Sequence, residues 1–207
     1  MGAKQTLLIA VVVLVAAAAA WWGFAARQKG TERETVLKVV GETTAQLREA
    51  LAKPPSAELV AQLEANLQAV KAPRHRELAD AAEHYIIGAR EIARRRADAA
   101  RLSGEAAASR QALASHMAHR SQSASWYSDA TKLKTRVEQQ HADLGRTLKA
   151  IEEVLFTMSD AQKRLAPHVP ANLLLETSAR DAAGKQARDD AQRAAAELEK
   201  ARSLAPR

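Results

Sequence analysis

His116 and His119 are the residues whose spacing most resembles a metal-binding pair. They are three positions apart in a stretch with helical periodicity, so both rings would project from one face of a helix. Zinc takes four ligands, however, and no carboxylate occurs at the neighbouring helical steps to complete the set. We therefore expect two exposed histidines near a helix end, and the sequence predicts no metal site.

The arginine run at positions 94–96 suggests an anion-binding surface. At 100° per residue, Arg90, Arg94 and Arg101 fall within about 40° of one another, opposite the apolar seam of their helix. Such a stripe could hold anionic lipid or nucleic acid if it faced the right compartment. A hydrated helix face is the simpler interpretation, and it is the one that we expect.

Arg96 and Arg110 differ from that stripe because they occupy seam positions. A helical hairpin folded about residue 123 would bring Arg96 near Glu152 or Glu153, and Arg110 near Glu138. Polar residues within a seam fix the register of two helices at some cost in stability. The sequence therefore predicts a structural role for both arginines.

No other spacing assembles a catalytic triad, a pair of carboxylates or a phosphate-binding loop. There is no cysteine, which removes thiolate metal sites and cysteine nucleophiles. We predict no catalytic, cofactor-binding or metal-ligating residues, and no enzymatic activity. The formal charge of +7 comes from 31 basic and 24 acidic residues that are mostly interleaved, and aromatic residues make up only 3% of the chain. Nucleic acid is therefore not an expected partner.

The amino-terminal residues predict a membrane anchor. After a short tail (1–5), residues 6–26 contain no ionisable side chain, and a helix of this length spans about 30 Å, the thickness of a bilayer's hydrocarbon core. A signal peptide cleaved after Ala20 would leave Trp21 and Trp22 beside the cleavage site, which disfavours it. Gly2 fits a myristoylation pattern, but an acyl chain beside a full span would be redundant. We expect an uncleaved transmembrane helix with the bilayer as its partner.

The orientation signals conflict. Only Lys4 and the α-amine precede the span, whereas Arg27, Lys29, Arg33 and Lys38 follow it, so the positive-inside rule would keep the domain in the cytoplasm. A short tail ahead of a long domain is, in contrast, the usual layout of a signal anchor with an exported domain. We expect a single-pass inner (plasma) membrane protein whose domain is extracytoplasmic.

The rest of the chain predicts an all-α fold. Residues 27–73 should form two shorter helices, since Pro54 and Pro55 end the first and Ser56 can cap the second. Residues 171–204 should form a last helix that begins at an apolar Leu173–Leu175 run, after the break at Pro167 and Pro170. This helix has only a thin stripe of small apolar residues, namely Ala183, Ala187, Ala194, Leu198 and Ala201.

Residues 74–165 should form the body of the domain, a long antiparallel hairpin. Two heptad registers, over 74–120 and 126–165, are joined by a short polar turn, and short connections make antiparallel neighbours. Gly104 is the weak point of the first helix, at about 1 kcal/mol relative to alanine. Trp126 and Tyr127 should cap the seam at the turn. The first register is Leu78, Ala82, Tyr85, Ala89, Ile92, Arg96, Ala99, Ser103, Ala106, Arg110, Leu113 and Met117.

A single span followed by an elongated helical bundle resembles, in outline, the extracytoplasmic helical domains of bacterial membrane receptors. This likeness is one of topology and covers no motif. The leading hypothesis is a non-enzymatic membrane-anchored scaffold that binds a protein partner or itself through its helices. The second is a sensory or ligand-binding bundle, which would need a pocket lined by polar groups between helices. The third is a cytoplasmic basic surface for anionic lipid or nucleic acid.

Overall fold

The computed structural model describes residues 30–71, 76–119, 121 and 123–203. Every regular element within these ranges is helical, and the helices pack against one another. The expected all-α class is therefore confirmed. The elements are α1 (described over residues 30–52), α2 (Ala57–Lys71), α3 (Arg76–Ala118), α4 (Ala124–Leu165), a 3-10 turn (Ala171–Leu173) and α5 (Thr177–Ser203).

The predicted tail (1–5) and transmembrane helix (6–26) lie outside the described residues. Among the helices that are described, none is both long enough and apolar enough to cross a bilayer. The prediction of a membrane anchor therefore depends on the sequence alone.

The helices α1 and α2 form a short hairpin whose turn follows local sequence rules. Helix α1 ends before Pro54 and Pro55, and the hydroxyl oxygen of Ser56 accepts a hydrogen bond from the backbone N–H of Leu59 at 3.2 Å. This is the N-cap that the sequence predicts. Between the helices, the amide of buried Asn66 donates to the hydroxyl of buried Thr43 at 3.1 Å.

The helices α3 and α4 run antiparallel. Gly88, in the first half of α3, lies against Met158 near the end of α4, and His116 near the end of α3 stacks on Trp126 at the start of α4. Gly104 does not end α3, since the helix continues through it to Ala118. The turn is fixed by the side chain of Ser123, which accepts the N–H of Trp126 at 3.2 Å and caps α4.

The segment before α5 departs from the prediction of a helix that begins at residue 171. After the 3-10 turn the backbone at Leu174 is extended, and the α-helix begins only at Thr177. Leu174 and Leu175 are buried in the main core, and side chains of other helices bind their backbone groups. Burial of these two side chains, together with hydrogen bonds from outside the segment, replaces the first helical turn.

Most of the buried apolar side chains within the described residues belong to two clusters. The larger one contains all the buried apolar side chains of α1 and α2, and it ends on α3 near Ala99 and on α4 near Leu148. The smaller one, at the turn of the hairpin, consists of buried Leu113, Val137 and Ala201. Between the two clusters the seam of α3 has only small or polar residues, which do not fill the space between three helices.

Candidate ligand-binding cleft

A cleft of about 420 Å³ lies between α3, α4 and α5, in the gap between the two apolar clusters. Alanines on α3 and α5 face it, because both helices have small residues at their contact positions. Leu144, Leu148 and Ile151 of α4 provide the larger apolar side chains of its wall. The size is within the range of about 300–1,000 Å³ that is usual for small-molecule sites in proteins.

Three arginines line the cleft, and only two of them have an acidic partner. Arg110 of α3 pairs with Glu197 of α5 at 2.7 Å, and Arg193 pairs with Asp190 one helical turn away at 2.6 Å. Arg96 makes no ion pair or hydrogen bond with any described residue, and its buried Nε atom has no acceptor. The wall of the cleft therefore presents one guanidinium that has no protein partner within the described residues and whose Nε–H is buried.

Partial burial disfavours the charged form of Arg96. It lowers the pKa of the guanidinium, and the carboxylate of Asp190 acts in the opposite direction. An arginine nevertheless remains charged at neutral pH. The cost of desolvating this charge is thus offset only by Asp190, which is itself engaged by Arg193.

His141 lies on the wall of the same cleft. Its side chain is only 6% exposed, and neither ring nitrogen has a hydrogen-bond partner within the described residues. Burial lowers the pKa of the imidazole, the charge of Arg110 lowers it further, and Glu197 raises it. The ring is therefore neutral at pH 7, with one free donor and one free acceptor.

The lowered pKa of His141 predicts a loss of stability in mild acid. Because the unfolded chain takes up the proton more readily than the folded one, the free energy of unfolding is highest above about pH 6.5 and falls as the pH drops towards the folded pKa. Urea unfolding of the full chain in mild detergent, compared between pH 7.5 and pH 5.5, would measure the change. The H141Q variant should show a smaller decrease, and an identical decrease would contradict the assignment.

The predicted ion pairs of the seam arginines are wrong. Arg110 pairs with Glu197 of α5, not with Glu138, which instead pairs with Lys134 at 3.9 Å. Glu152, one of the partners predicted for Arg96, pairs with Arg188 of α5 at 3.0 Å. The reason is that α5 packs along the hairpin and provides ion-pair partners. The prediction considered only α3 and α4 and therefore took the partners from α4.

The arginine stripe on the outer face of α3 is largely neutralised. Arg90 forms an ion pair with Glu64 of α2 at 2.5 Å, and Arg101 pairs with Glu105 at 2.7 Å. Arg94 is exposed and has no acidic partner among the described residues. The prediction of a hydrated helix face is therefore wrong for Arg90, because α2 packs beside it. The stripe is a weaker anion site than its sequence suggests.

The histidine pair does not form a shared site. The rings of His116 and Trp126 stack with centroids 5.1 Å apart, and each side chain contacts the backbone carbonyl of the other residue at 3.0 and 3.2 Å. His119 is exposed, as predicted, and its Nδ1 lies 2.9 Å from the carbonyl of Ser115. His116 is half-buried, not exposed, and together with Trp126 it holds the turn of the hairpin closed.

Sequence reasoning considered His116 and His119 and missed His141. The available signal was its position directly after Gln140, which belongs to the heptad register over 126–165, on the side of α4 that a third helix would cover. Gln140 is also buried, and its side-chain oxygen has no donor within the described residues. Two adjacent polar residues at the edge of an apolar seam, Gln140 and His141, were therefore the sequence feature that indicated a polar site beside the seam.

Comparison of the chain with known protein families, with curated proteins and with solved structures gave no match.

Proposed function

We propose that this chain is a non-enzymatic, membrane-anchored helical bundle that binds a small molecule in the cleft between α3, α4 and α5. The observation that carries the proposal is the unused hydrogen-bonding capacity of the wall: both ring nitrogens of His141 and the buried Nε atom of Arg96. Buried polar groups in proteins are nearly always bonded to protein, water or a ligand. A bound small molecule would satisfy these groups and would also cover the apolar part of the wall.

The proposal can be tested by filling the cleft. Ala107 and Ala108 are adjacent and exposed on α3, but only Ala107 lines the cleft. A107W should occupy the ligand space, whereas A108W, which adds the same side chain to the neighbouring face, should not. We expect at least tenfold weaker binding in A107W and little change in A108W.

The measurement is ligand-observed ¹⁹F NMR on the full chain in nanodiscs, with 4-fluorobenzoate, 4-fluorobenzamide and 4-fluorobenzylamine as anionic, neutral and cationic probes. Empty nanodiscs give the background from lipid. At least one probe should broaden with the wild-type chain and with A108W, and should recover its sharp line with A107W. If no probe binds, or if A107W and A108W bind equally well, the proposed site is wrong.

The membrane anchor is part of the same proposal. It is supported by residues 6–26, which have the length and the apolar composition of a transmembrane helix. We expect that deletion of residues 2–26 moves the chain from the membrane fraction of expressing cells to the supernatant, with the wild-type chain as the control. Continued sedimentation of a folded truncated chain with the membranes would refute the anchor.

The scaffold hypothesis remains a second proposal, and one observation favours it. Phe156 of α4 leaves 75% of its side chain exposed, and Ile87 of α3 leaves 38% exposed. These are the large apolar side chains that a protein partner or a second copy would cover. Isolated exposed apolar residues are common on soluble surfaces, however, so this observation weighs less than the cleft.

A further inference from the structure

The charged groups of the cleft are separated along its length. Arg96 and Arg110 are both on α3, about four helical turns apart, which corresponds to roughly 21 Å along the helix axis. Arg96 interacts electrostatically with Asp190, and His141 with Arg110 and Glu197, so each end of the cleft has its own set of polar groups. Between the two ends, the larger side chains of the wall are apolar, including Leu144 and Leu148, and α3 contributes alanines and Ser103.

The pairing of the charges leaves one cation free to bind an anion. Glu197 neutralises Arg110, and Asp190 neutralises Arg193. His141 is neutral because burial and Arg110 lower its pKa. Arg96 is the remaining positive group, and a guanidinium binds a planar carboxylate through two parallel hydrogen bonds.

The acidic residues of the wall limit the charge that a ligand can carry. Among the described residues, three arginines and the carboxylates of Asp190 and Glu197 line the cleft, so with His141 neutral the wall has a net charge of +1, and a second negative charge on a ligand would have no partner. A single negative charge is matched by Arg96. The apolar wall that follows Arg96 requires a hydrocarbon body on the same ligand, since that wall gains its stabilisation from apolar contact.

We infer that the cleft binds an elongated organic monocarboxylate, with its carboxylate on Arg96 and its hydrocarbon chain along the apolar wall of α3, α4 and α5. This inference rests on the proposed function and specifies its ligand class. Arg96 is the specificity-determining residue of the site, because it distinguishes a carboxylate from a neutral analogue of the same length.

The test uses three probes of equal chain length: octanoate, 1-octanol and octyl phosphate, the last doubly charged at pH 7.5. Binding to the full chain in nanodiscs is measured by isothermal titration calorimetry, with the heats of empty nanodiscs subtracted. We expect octanoate to bind at least tenfold more tightly than either of the other probes. R96Q should weaken octanoate binding by about tenfold to a hundredfold, the loss of a hydrogen bond to a charged group, and should leave 1-octanol unchanged.

Two further variants make the outcome specific. R94Q removes an exposed arginine from the same helix that does not line the cleft, and it should bind octanoate like the wild type. R96K retains the charge without the planar fork, and its affinity for octanoate should lie between those of R96Q and the wild type. Such a graded loss would show that the weaker binding of R96Q does not come from unfolding. Unchanged octanoate binding in R96Q, or tighter binding of octyl phosphate, would overturn the monocarboxylate assignment.

The failure of this inference can be told apart from that of the proposed function. If A107W abolishes probe binding while R96Q leaves octanoate binding intact, the cleft is a binding site for another class of ligand. If A107W also leaves probe binding unchanged, the cleft is not the binding site, and the monocarboxylate assignment is wrong as well.

Discussion

Replacement of Tyr85 with alanine is expected to lower the free energy of unfolding by about 3–5 kcal/mol, the usual cost of removing a large buried aromatic side chain. Tyr85 of α3 is completely buried, and its hydroxyl lies 2.8 Å from the hydroxyl of Thr44 and 3.2 Å from the backbone nitrogen of Leu175. Three separate parts of the chain therefore meet at one phenol: α1, α3 and the segment that leads into α5.

The directions of these hydrogen bonds follow from the available hydrogens. The hydroxyl of Thr44 donates to the carbonyl of Leu173 at 2.7 Å, so its oxygen accepts the hydrogen of Tyr85. The Tyr85 oxygen in turn accepts the N–H of Leu175. Burial raises the pKa of the phenol, which keeps this hydrogen in place at neutral pH. The result is a continuous chain of donors and acceptors in a dry interior, where each bond strengthens the next.

The Y85F variant isolates the contribution of the hydroxyl. It preserves the ring but leaves the N–H of Leu175 without an acceptor, which should cost about 1–3 kcal/mol. Y127F is the matched control, because Tyr127 is half-buried and its hydroxyl has no hydrogen-bond partner within the described residues. It should change the free energy of unfolding by less than about 0.5 kcal/mol.

Urea unfolding of the full chain in mild detergent, followed by far-UV circular dichroism, measures all three variants. Equal stabilities for Y85F and Y127F would show that the hydroxyl of Tyr85 does not hold the segment before α5.

The second large effect is expected at Gly88, where α3 packs closely against Met158 of α4. A Cβ atom at this position would lie 3.0 Å from Cγ and 3.2 Å from Cβ of Met158, which is buried. The leucine side chain of G88L would have to displace Met158 and its neighbours. Overpacking of this kind costs about 1–3 kcal/mol, against a gain of about 0.5–1 kcal/mol from replacing glycine within a helix, so G88L should lower the free energy of unfolding by up to about 2 kcal/mol.

Gly104 provides the matched control on the same helix. A Cβ atom there would meet nothing within 4 Å, and the residue is exposed. G104L should therefore raise the free energy of unfolding by about 0.5–1 kcal/mol, since only helix propensity changes. Thermal unfolding of the two variants should move in opposite directions. A stabilised G88L would mean that the two helices are not in close contact at this level.

The three consecutive arginines illustrate how far the sequence could predict the site. Successive residues of a helix differ by 100° in direction, so Arg94 and Arg96 were assigned from the sequence to the outer face and to the seam. Arg94 is exposed and Arg96 lines the cleft. The surroundings of Arg96 and the ion-pair partner of Arg110 could not be predicted, because both depend on α5, which is far away in the chain.

At residues 173–175, in contrast, the local sequence pattern predicted the wrong backbone conformation. Three leucines with good helix propensity favour a helical start, and the sequence interpretation followed that local preference. The structure places Leu174 in an extended conformation because Tyr85, Thr44 and Arg48 offer hydrogen bonds to this backbone. Those donors and acceptors come from residues about 90 to 130 positions earlier, as far as Thr44, 129 residues before Leu173. No local pattern carries that information.

The sequence by itself determined the helical class, the apolar seams of the long helices, the cap at Ser56, the polar turn about residue 123 and the composition of residues 6–26. Each of these follows from interactions between residues a few positions apart, whose geometry is fixed once a helix forms. Only the tertiary structure decided that α5 closes the side of the hairpin, that Arg110 pairs with Glu197, and that Arg96 and His141 line one cleft. These features depend on which small residues of three distant helices meet, and space left between helices is a property of their packing that no single helix encodes.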